Sequence, residues 1–460
     1  MRNGEIMVAS NRGPISFSFG DGDVVVPGRA GGGLAGTLHR LLDGKGAMWV
    51  AAAMNDADVA AAKSGSAREL LGDGIDVRLV APPADIYRMA YDLVSNSTLW
   101  FVHHHLYDLA REPRFGRGWQ EAWDGYREYN RLFASTIAEV ARERSTLLVQ
   151  DYHLSLLPGM LARQRPDLAT VHFSHTPFAA PDSFSVLPQS IATELATGMS
   201  AARACGFHSA RWAACYESSC KAVGVPPAPA FHTPLGVDPV GIATGMSAPE
   251  AAAARASVEE IAGGRFLLAR VDRMEPSKNI LRGLWAYDEL LAEHPDVRER
   301  MVFLVLAYPS RTTLAAYRAY AAEVEAAVSF LNEKWASPGW TPIVLGMEDD
   351  WYRSLAAMSL YDALLVNPVR DGLNLVAKEG ALANERSGTL VLSTEAGVYD
   401  ELEGPCLAVN PFDMGATAGA IYQAFAMDPG ERHGRAKRLK ELALSHTSEG
   451  WLADQLAAAR

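Results

Sequence analysis

The chain has 460 residues, of which 49% are hydrophobic and 21% are charged. It is too long for one ordinary core, which favours two globular domains and excludes a disordered chain. The formal net charge of -12 argues against a nucleic acid or an anionic membrane as partner. A small anionic substrate is compatible with it, because a local basic pocket can lie within an acidic surface.

The four cysteines contain no C-x-x-C pair, which is typical of structural thiols in a reducing compartment. The chain runs early into a strand-like segment, with no signal-like basic and apolar run before it. No apolar run is long enough to span a bilayer. We therefore expect a cytoplasmic protein without a membrane partner. A homo-oligomer is compatible with the sequence.

Short apolar runs alternate with helical patterns along the chain. The predicted strands of the first half are Ile6–Ala9, Met48–Ala53, Val77–Val80, Thr146–Gln150, Thr170–Ser174 and Ala204–Phe207. Those of the second half are Phe266–Val271, Met301–Leu306, Ile343–Leu345, Ala363–Val366, Thr389–Leu392 and Leu407–Val409. The predicted helices include Leu34–Leu42, Trp119–Arg144, Ile280–His294, Leu314–Trp335 and Leu375–Asn384. This alternation predicts an α/β protein with parallel, doubly wound sheets covered by helices.

The pattern thins between Val223–Pro229 and Thr244–Arg255, which are rich in Gly, Pro and small residues. We place the domain boundary there, giving Rossmann-like domains over residues 1–238 and 239–445. Residues 446–460 are expected to form a helix that packs back on the N-terminal domain. Ligands of open α/β sheets bind beyond the carboxyl ends of the strands, so we expect an active site in the cleft between the domains.

The segment Ala363–Asn384 reads as a strand, a loop and a helix with Asn374 as its N-cap. Free amides of the first helical turn and the helix dipole can bind an anion, and Lys378 adds a cation if it faces the same way. Asp371 could accept hydroxyl groups of a sugar, and Glu379 those of a ribose. A capped helix with solvated charges is the alternative, and spacing alone favours neither.

Further polar segments follow other strands. Arg273 and Lys278, expected on a loop, could clamp a diphosphate, although an exposed basic loop is the better interpretation of that segment alone. Asp151 and His175 could serve acid-base chemistry, but such residues are structural at least as often.

Two other features carry weaker signals. The glycine run that ends at Gly33 would let a ligand approach the backbone, with a flexible turn as the alternative. His103, His104 and His105 could suggest zinc, but adjacent residues on a strand point to opposite faces.

Together these segments resemble the trehalose-6-phosphate synthase family of retaining glycosyltransferases, which has the GT-B fold of two Rossmann-like domains. The resemblance extends from Ser10-Asn11-Arg12 to Val409-Asn410-Pro411-Phe412. Its strongest block, Arg370–Glu379, fits the family's R-D-G-x-N-L-V-A-K-E. It implies an N-terminal domain that binds the acceptor and a C-terminal domain that binds a nucleotide sugar.

The resemblance also implies residue roles. The catalytic set is Arg273 and Lys278 at the donor diphosphate, His175 beside the donor sugar and Asp151 near the reacting hydroxyl. The donor set is Gly33, Asp371, Gly372, Leu373, Asn374, Leu375, Val376 and Glu379. The acceptor set is Arg12, Tyr91, Trp100 and Arg311. No metal and no cofactor is implied.

The implied reaction makes α,α-trehalose 6-phosphate from GDP- or UDP-glucose and glucose 6-phosphate, with retention and without a covalent enzyme intermediate. The donor loop reads R-M-E-P-S-K-N, where many members have R-L-D-Y-S-K-G, and G-F-H-S replaces G-F-Q-T. These sequence motifs resemble those of actinobacterial members, and they do not decide which nucleotide base the donor carries.

Three alternatives stay open. One is a pseudo-glycosyltransferase that joins a nucleotide-activated cyclitol to a phosphorylated aminocyclitol. The second is a non-catalytic sugar-phosphate sensor. The third is a phosphorylase that uses pyridoxal phosphate.

Overall fold

A computed structural model of the protein describes residues 5–20, 24–29, 33–64 and 74–460. The chain divides into unit 1, Met1–Pro234 with Ser448–Arg460, and unit 2, Leu235–Thr447. It therefore passes from one unit to the other after residue 234 and again after residue 447. The boundaries predicted from the sequence are near residues 238 and 446.

Unit 1 contains a parallel sheet and a separate antiparallel hairpin. Its described strands are β1 (Ile6–Ser10), β2 (Ile15–Phe19), β3 (Val25–Arg29), β4 (Met48–Ala52), β5 (Asp76–Val80), β6 (Thr146–Gln150), β7 (Ala169–Phe173), β8 (Ala204–Phe207) and β9 (Ala230–His232). The parallel sheet has the order β5-β4-β1-β6-β7-β8-β9, and β2 pairs with β3.

Helices cover the parallel sheet of unit 1. Those described are Leu34–Leu42, Asp56–Ser64, Ala84–Arg88, Trp100–His104, Arg117–Val140, Leu157–Gln164, Pro181–Phe184, Gln189–Ser200, Ala210–Ala222 and Ser448–Ala458, with a π-helix at Met89–Leu99 and a 3-10 turn at Tyr152–Leu154. In the longest helix the apolar side chains of Trp123, Tyr126 and Phe133 are buried, while the intervening arginines and acidic residues lie near the surface. This one-sided pattern explains why the segment forms a surface helix.

Unit 2 has a single parallel sheet among its described residues. Its strands are β10 (Phe266–Met274), β11 (Met301–Pro309), β12 (Ile343–Gly346), β13 (Ala363–Val366), β14 (Thr389–Ser393) and β15 (Leu407–Val409), in the order β12-β11-β10-β13-β14-β15. The helices are Pro239–Met246, Pro249–Ala262, Ile280–Glu293, Ala315–Trp335, Trp351–Leu360, Leu375–Ala383, Tyr399–Leu402, Met414–Ala426 and Pro429–Ala443, with 3-10 turns at Pro276–Lys278 and Pro295–Val297.

Both sheets are doubly wound, which confirms the predicted α/β class with Rossmann-like halves. The strand order reverses between β1 and β6 in unit 1 and between β10 and β13 in unit 2. Every residue of β1 and β14 is buried, as expected for parallel strands covered on both faces. Ligands of such sheets bind where the strands beside the reversal end. Arg12 and Asp151 follow the two strands of unit 1 there, and Lys278 and Asp371 those of unit 2.

The helix Ser448–Ala458 packs against the sheet of unit 1. The ring of Trp451 lies 5.3 Å from that of Phe173, and Gln455 accepts a hydrogen bond from Gln150 over 3.1 Å. Both Trp451 and Gln455 are buried. The last segment of the chain therefore contributes to the core of the first unit.

Two local expectations were wrong. The strand predicted to end at Val271 continues to Met274, so Arg273 lies in β10 and not on a loop. It continues because it pairs with β11 along its whole length, and because Arg270 and Asp272 neutralise each other inside it. The histidines at 103 and 104 lie at the end of a helix and not on a strand.

None of the helices in the described ranges has both the length and the apolar content needed to cross a bilayer.

Candidate functional site

A group of charged side chains, here called the cation cluster, lies at the carboxyl end of the unit 2 sheet. It consists of Arg273, Lys278 and Arg311 with the carboxylates Glu275 and Asp371. The Lys278 Nζ lies 2.6 Å from the Asp371 Oδ2, which joins the end of β10 to the loop after β13. The Nη1 atoms of Arg273 and Arg311 lie 3.0 and 3.4 Å from the Oε1 of Glu275. The structure thus brings together predicted residues from three separate segments.

Hydrogen bonds from buried polar side chains hold the loop that carries Lys278. Arg270 donates a hydrogen bond to the carbonyl of Lys278. Asn279 adopts a left-handed backbone with φ 60° and donates to the carbonyls of Asn367 and Pro411 over 2.9 and 2.8 Å. Asparagine tolerates this conformation better than most residues. These contacts hold the cation in a defined place before any ligand binds.

The cations of the cluster remain protonated at neutral pH. Burial lowers the pKa of Lys278, but Asp371 and then Asp272 outweigh it, so that the net pKa is raised. The pKa of Arg273 is likewise raised, because Glu275, Tyr308 and Asp371 together outweigh burial and the repulsion from Arg311. The side chain of Arg273 is 38% exposed and that of Lys278 13%. The cluster is therefore a preformed anion site that a ligand can reach.

The helix Leu375–Ala383 begins beside this cluster. Asn374, with φ 82°, accepts a hydrogen bond from the amide of Ala377 over 3.3 Å and donates to Asp371 over 3.1 Å. Within the described part of the chain, the amides of Leu375 and Val376 have no hydrogen-bond acceptor. Together with the helix dipole they can bind a phosphate oxygen.

The loop before this helix is held by the segment after β14. The amide of Asp371 donates to the carbonyl of Glu395 over 3.2 Å, and that of Val398 to Leu373 over 2.8 Å. Gly372, between the two, is buried. The predicted donor loop is therefore rigid, and its carboxylate Asp371 is committed to Lys278 in this structure.

Lys378 does not add a cation to this anion site. Its side chain is fully buried, and its Nζ lies 2.6 Å from the Oε2 of Glu401 and 3.2 Å from the carbonyl of Leu235. A buried ammonium requires such a carboxylate. The expectation that Lys378 could serve a ligand was wrong, and no sequence spacing pointed to Glu401.

Glu379 has the opposite character. Its carboxyl group has no hydrogen bond or ion pair with the residues described. Burial raises its pKa to about 7. A half-buried carboxyl group without a protein partner suits a ligand that brings hydroxyl groups.

In unit 1, a row of neutral hydrogen bonds, here called the imidazole chain, runs through His208, His175, Gln150 and Gln455. The Nδ1 of His175 lies 3.0 Å from the Nε2 of His208, and its Nε2 lies 2.9 Å from the Oε1 of Gln150. With Gln150 donating to Gln455, its oxygen is left to accept from the Nε2–H of His175. Burial, and then His208 and His172, place the pKa of His175 well below its usual value. His175 is therefore a neutral hydrogen-bonding group.

Asp151 lies next to His175. It has a left-handed backbone with φ 72°, and its Oδ1 accepts a hydrogen bond from the amide of His175 over 3.1 Å. Its own amide donates to the carbonyl of Phe173 over 2.7 Å. A non-glycine residue in this region carries strain, which is common at functional sites. The structure thus brings Asp151 and His175 together at neighbouring strand ends.

Tyr91 and Trp100 lie on consecutive helices of unit 1. Tyr91 belongs to the π-helix Met89–Leu99, and its ring stacks 5.6 Å from His153. Trp100 begins the next helix, and its ring lies 5.8 Å from Tyr152. Both rings therefore meet the turn that directly follows Asp151. π-Helical segments occur often at functional sites.

Arg12 and Gly33 complete the predicted residues of unit 1. Arg12 is exposed just after β1, and its charge is one of the influences that lower the pKa of Tyr87 against the larger raising effect of burial. Gly33 precedes the helix Leu34–Leu42 with φ 80° and ψ -148°, a conformation that side chains disfavour. A side chain there would meet nothing within 4 Å, so the backbone angles require the glycine. Gly31 and Gly32 lie outside the described residues.

Several supporting residues escaped the sequence analysis. Glu275 was noted only as part of the departure R-M-E-P-S-K-N from the family pattern, and Gln150 only as the last residue of a predicted strand. His208 was noted only as the histidine of the G-F-H-S block. Arg270 and Gln455 carried no local signal, because each acts through a partner on another element. Among the residues described, no group of three or more His, Cys, Asp and Glu side chains is arranged to hold a metal ion.

Comparison with known proteins agrees with this architecture. The sequence profile of glycosyltransferase family 20 matches residues 4–460. A trehalose-6-phosphate synthase of Mycobacterium sp. (strain JLS) is 32% identical over 97% of this chain and 94% of its own length. The structure of a UDP-forming α,α-trehalose-phosphate synthase from Burkholderia vietnamiensis is 26% identical, with a TM-score of 0.84 over 99% of both chains.

A second structure, of the UDP-forming enzyme from Burkholderia xenovorans in complex with glucose-6-phosphate, is 25% identical, with a TM-score of 0.83 over 99% of both chains. The match of the family profile covers nearly the whole sequence. The chain belongs to glycosyltransferase family 20 and is a glycosyltransferase with the GT-B fold.

Proposed function

We propose that this glycosyltransferase forms α,α-trehalose 6-phosphate, with retention, from nucleotide-diphosphate glucose and glucose 6-phosphate. The observation that carries the proposal is the cation cluster beside the helix start at Leu375. It supplies fixed positive charge and free amides, as a departing diphosphate needs. The names of the relatives support the product and put UDP-glucose before GDP-glucose as donor.

In the proposed reaction the bond between the glucose C1 and the diphosphate oxygen breaks. The acceptor hydroxyl forms the new bond to C1 on the same face, and its proton passes to the departing phosphate oxygen. Arg273, Lys278 and the amides of Leu375 and Val376 stabilise the charge that develops on that oxygen. The neutral imidazole of His175 and the side chain of Asp151 orient hydroxyl groups of the sugars. Glu379 accepts hydrogen bonds from the hydroxyl groups of the ribose.

The proposal requires no metal and no other cofactor, because Arg273 and Lys278 neutralise the leaving group. It assigns the acceptor phosphate to Arg12, Tyr91 and Arg311, and the acceptor sugar to Trp100. It places the reaction in the cytoplasm, where thiols such as the four free ones of this chain stay reduced.

A product assay tests the proposal. UDP-glucose and GDP-glucose are incubated in parallel with glucose 6-phosphate, and the disaccharide phosphate and its anomeric configuration are identified by NMR. We expect the α,α-linked product with one of the two donors. Release of nucleotide without a disaccharide, or no turnover with either donor, would overturn the proposal.

Arg311→Ala tests the acceptor assignment. We expect the KM for glucose 6-phosphate to rise by about tenfold or more, because a charge-assisted contact to its phosphate is lost. The KM for the donor should change little. Lys334→Ala, which removes an exposed cation paired with Asp288, is the matched control. An effect on donor binding alone would show that Arg311 does not serve the acceptor.

A further inference from the structure

We propose that Glu275 is a positioning residue that aims the guanidinium groups of Arg273 and Arg311 from one buried carboxylate oxygen. This inference deepens the proposed function and rests on it where the substrates are named. In that function Arg273 serves the donor diphosphate and Arg311 the acceptor phosphate. One side chain would then hold the two phosphate-binding arginines in a fixed relation.

The geometry converges on a single atom. The Oε1 of Glu275 lies 3.0 Å from the Nη1 of Arg273 and 3.4 Å from that of Arg311, and it accepts a hydrogen bond from the Ser310 Oγ over 2.8 Å. Arg273 comes from β10 and Arg311 from the segment after β11, so Glu275 joins the ends of two neighbouring strands. The Oε2 atom is also buried, and no hydrogen-bond partner for it exists among the residues described.

The exposure of the partners distinguishes this pair from a structural ion pair. In the same strand, Arg270 and Asp272 bury both side chains, at 0% and 4% exposure, and the other contacts of Arg270 are to Asn367 and the carbonyl of Lys278. In the pair formed by Glu275 the carboxylate is 0% exposed, whereas Arg273 is 38% exposed. The anchor is thus buried while the anchored group faces solvent, which is the arrangement expected for a group held ready for a ligand.

Arg311 is held in a second way. Its backbone lies in the left-handed region with φ 48°, and its Nη1 donates to the hydroxyl of Tyr317 over 2.8 Å. Glu275 and Tyr317 together leave the guanidinium little freedom to rotate. The side chain of Arg311 is only 9% exposed. A strained backbone and two anchors for one largely buried cation indicate that its direction matters.

The carboxylate is charged throughout the working pH range. Burial raises the pKa of Glu275, but Arg273, Arg311 and Lys278 together outweigh burial and lower the pKa to about 2. Glu275→Gln therefore removes a negative charge and leaves the size and shape of the side chain nearly unchanged. Glutamine can place its carbonyl oxygen at Oε1 and its amide at Oε2, where no donor is displaced. We expect Glu275→Gln to fold.

The test compares Glu275→Gln and Glu275→Asp with the wild type. For Glu275→Gln we expect kcat to fall on the order of 10- to 100-fold, because misplaced cations stabilise the transition state poorly. The dissociation constants of UDP, GDP and glucose 6-phosphate, measured by calorimetry, should stay within about threefold or become tighter, because the cluster loses a negative charge. Glu275→Asp keeps the charge and should recover part of kcat.

Asp288→Asn, at the half-buried partner of Lys334, is the control for loss of a carboxylate in an ion pair. A wild-type kcat in Glu275→Gln would overturn the proposal. A parallel weakening of all ligands together with a lower Tm would also overturn it, since that is the behaviour of a structural brace.

Crystal structures of the wild type and of Glu275→Gln with bound UDP test the role of Glu275 independently of the reaction. The arginines should share Oε1 in the wild type and adopt different directions in Glu275→Gln. Unchanged arginines would overturn the inference. A wild type that forms no disaccharide phosphate would overturn the proposed function alone, because the binding and structural results still decide the role of Glu275.

Discussion

The cation cluster of unit 2 and the imidazole chain of unit 1 both lie at the carboxyl ends of strands in two similar sheets, but their chemistry differs. The cluster lies at the ends of β10, β11 and β13, and the imidazole chain at the ends of β6, β7 and β8. The cluster consists of ion pairs, such as that between Lys278 and Asp371. The chain consists of neutral hydrogen bonds between His175 and its neighbours.

The difference shows what each site must do before a ligand arrives. In the proposed function the cations bind phosphate groups; they repel one another, and nearby carboxylates such as Glu275 hold them in place without neutralising the whole group. In the proposed function His175 orients sugar hydroxyl groups, which requires a defined tautomer, and the row of donors and acceptors provides one. The same kind of sheet thus carries fixed charges in unit 2 and oriented neutral hydrogen-bonding groups in unit 1.

The largest effect is expected from breaking the cation cluster. Arg273→Ala and Lys278→Ala should each lower kcat on the order of 100-fold or more, because a preorganised charge at the leaving group is lost. Thermal melting should show that the variants fold. Arg131→Ala, an exposed arginine in unit 1 that pairs with Glu128, is the control for loss of charge. Near-normal turnover in either variant would refute the assigned role.

A smaller effect is expected at Glu379, because its proposed role is to bind ribose hydroxyl groups and not to stabilise the charge of the leaving group. Glu379→Gln should raise the donor KM by about tenfold, because a charged acceptor is replaced by a neutral one. The raised pKa of about 7 means that the wild-type carboxyl is neutral below this pH and charged above it. The wild-type donor KM should therefore fall as the pH rises through 7, relative to that of the variant. Identical pH profiles would contradict this role.

A still smaller effect is expected from interrupting the imidazole chain at its far end. Gln455→Leu leaves the Nε2 of Gln150 without its acceptor, so the direction of His175 is less well defined. We expect kcat to fall by about threefold, consistent with one lost neutral hydrogen bond. Gln120→Leu, at an exposed position of unit 1, is the control. If both variants behave alike, the chain does not orient His175.

The smallest effect at neutral pH concerns His172, whose Nε2 donates to the carbonyl of Asp151 over 3.2 Å. Burial lowers its pKa from 6.5 to about 4, opposed by that hydrogen bond. Between these values the unfolded chain binds a proton that the folded chain does not, so stability falls as the pH falls. We expect a loss of up to roughly 1.4 kcal/mol per pH unit from this group.

Chemical denaturation between pH 7 and 4 measures this loss. His172→Gln keeps a donor toward Asp151 and does not titrate, so its free energy of unfolding should depend less on pH. An equal slope in both proteins would show that His172 does not contribute.

Local patterns predicted much of the fold. The strands β6, β8, β13 and β15 and the helix Leu34–Leu42 have the predicted bounds. Their signal is the spacing of apolar residues, which depends on neighbours only a few positions away. The helix start at Asn374 was also predictable, because an N-cap acts on the next turn of its own chain.

Tertiary structure decided which charged groups meet. β10 extends past Val271 because β11 pairs with it, and Lys378 is withdrawn from the anion site because Glu401 lies beside it. Glu275 meets Arg311 for the same reason, since two strands end side by side. The sequence alone determined the doubly wound class and the segments that carry polar groups, since periodicity is local. The partners of those groups depend on contacts between distant residues, which only the folded chain creates.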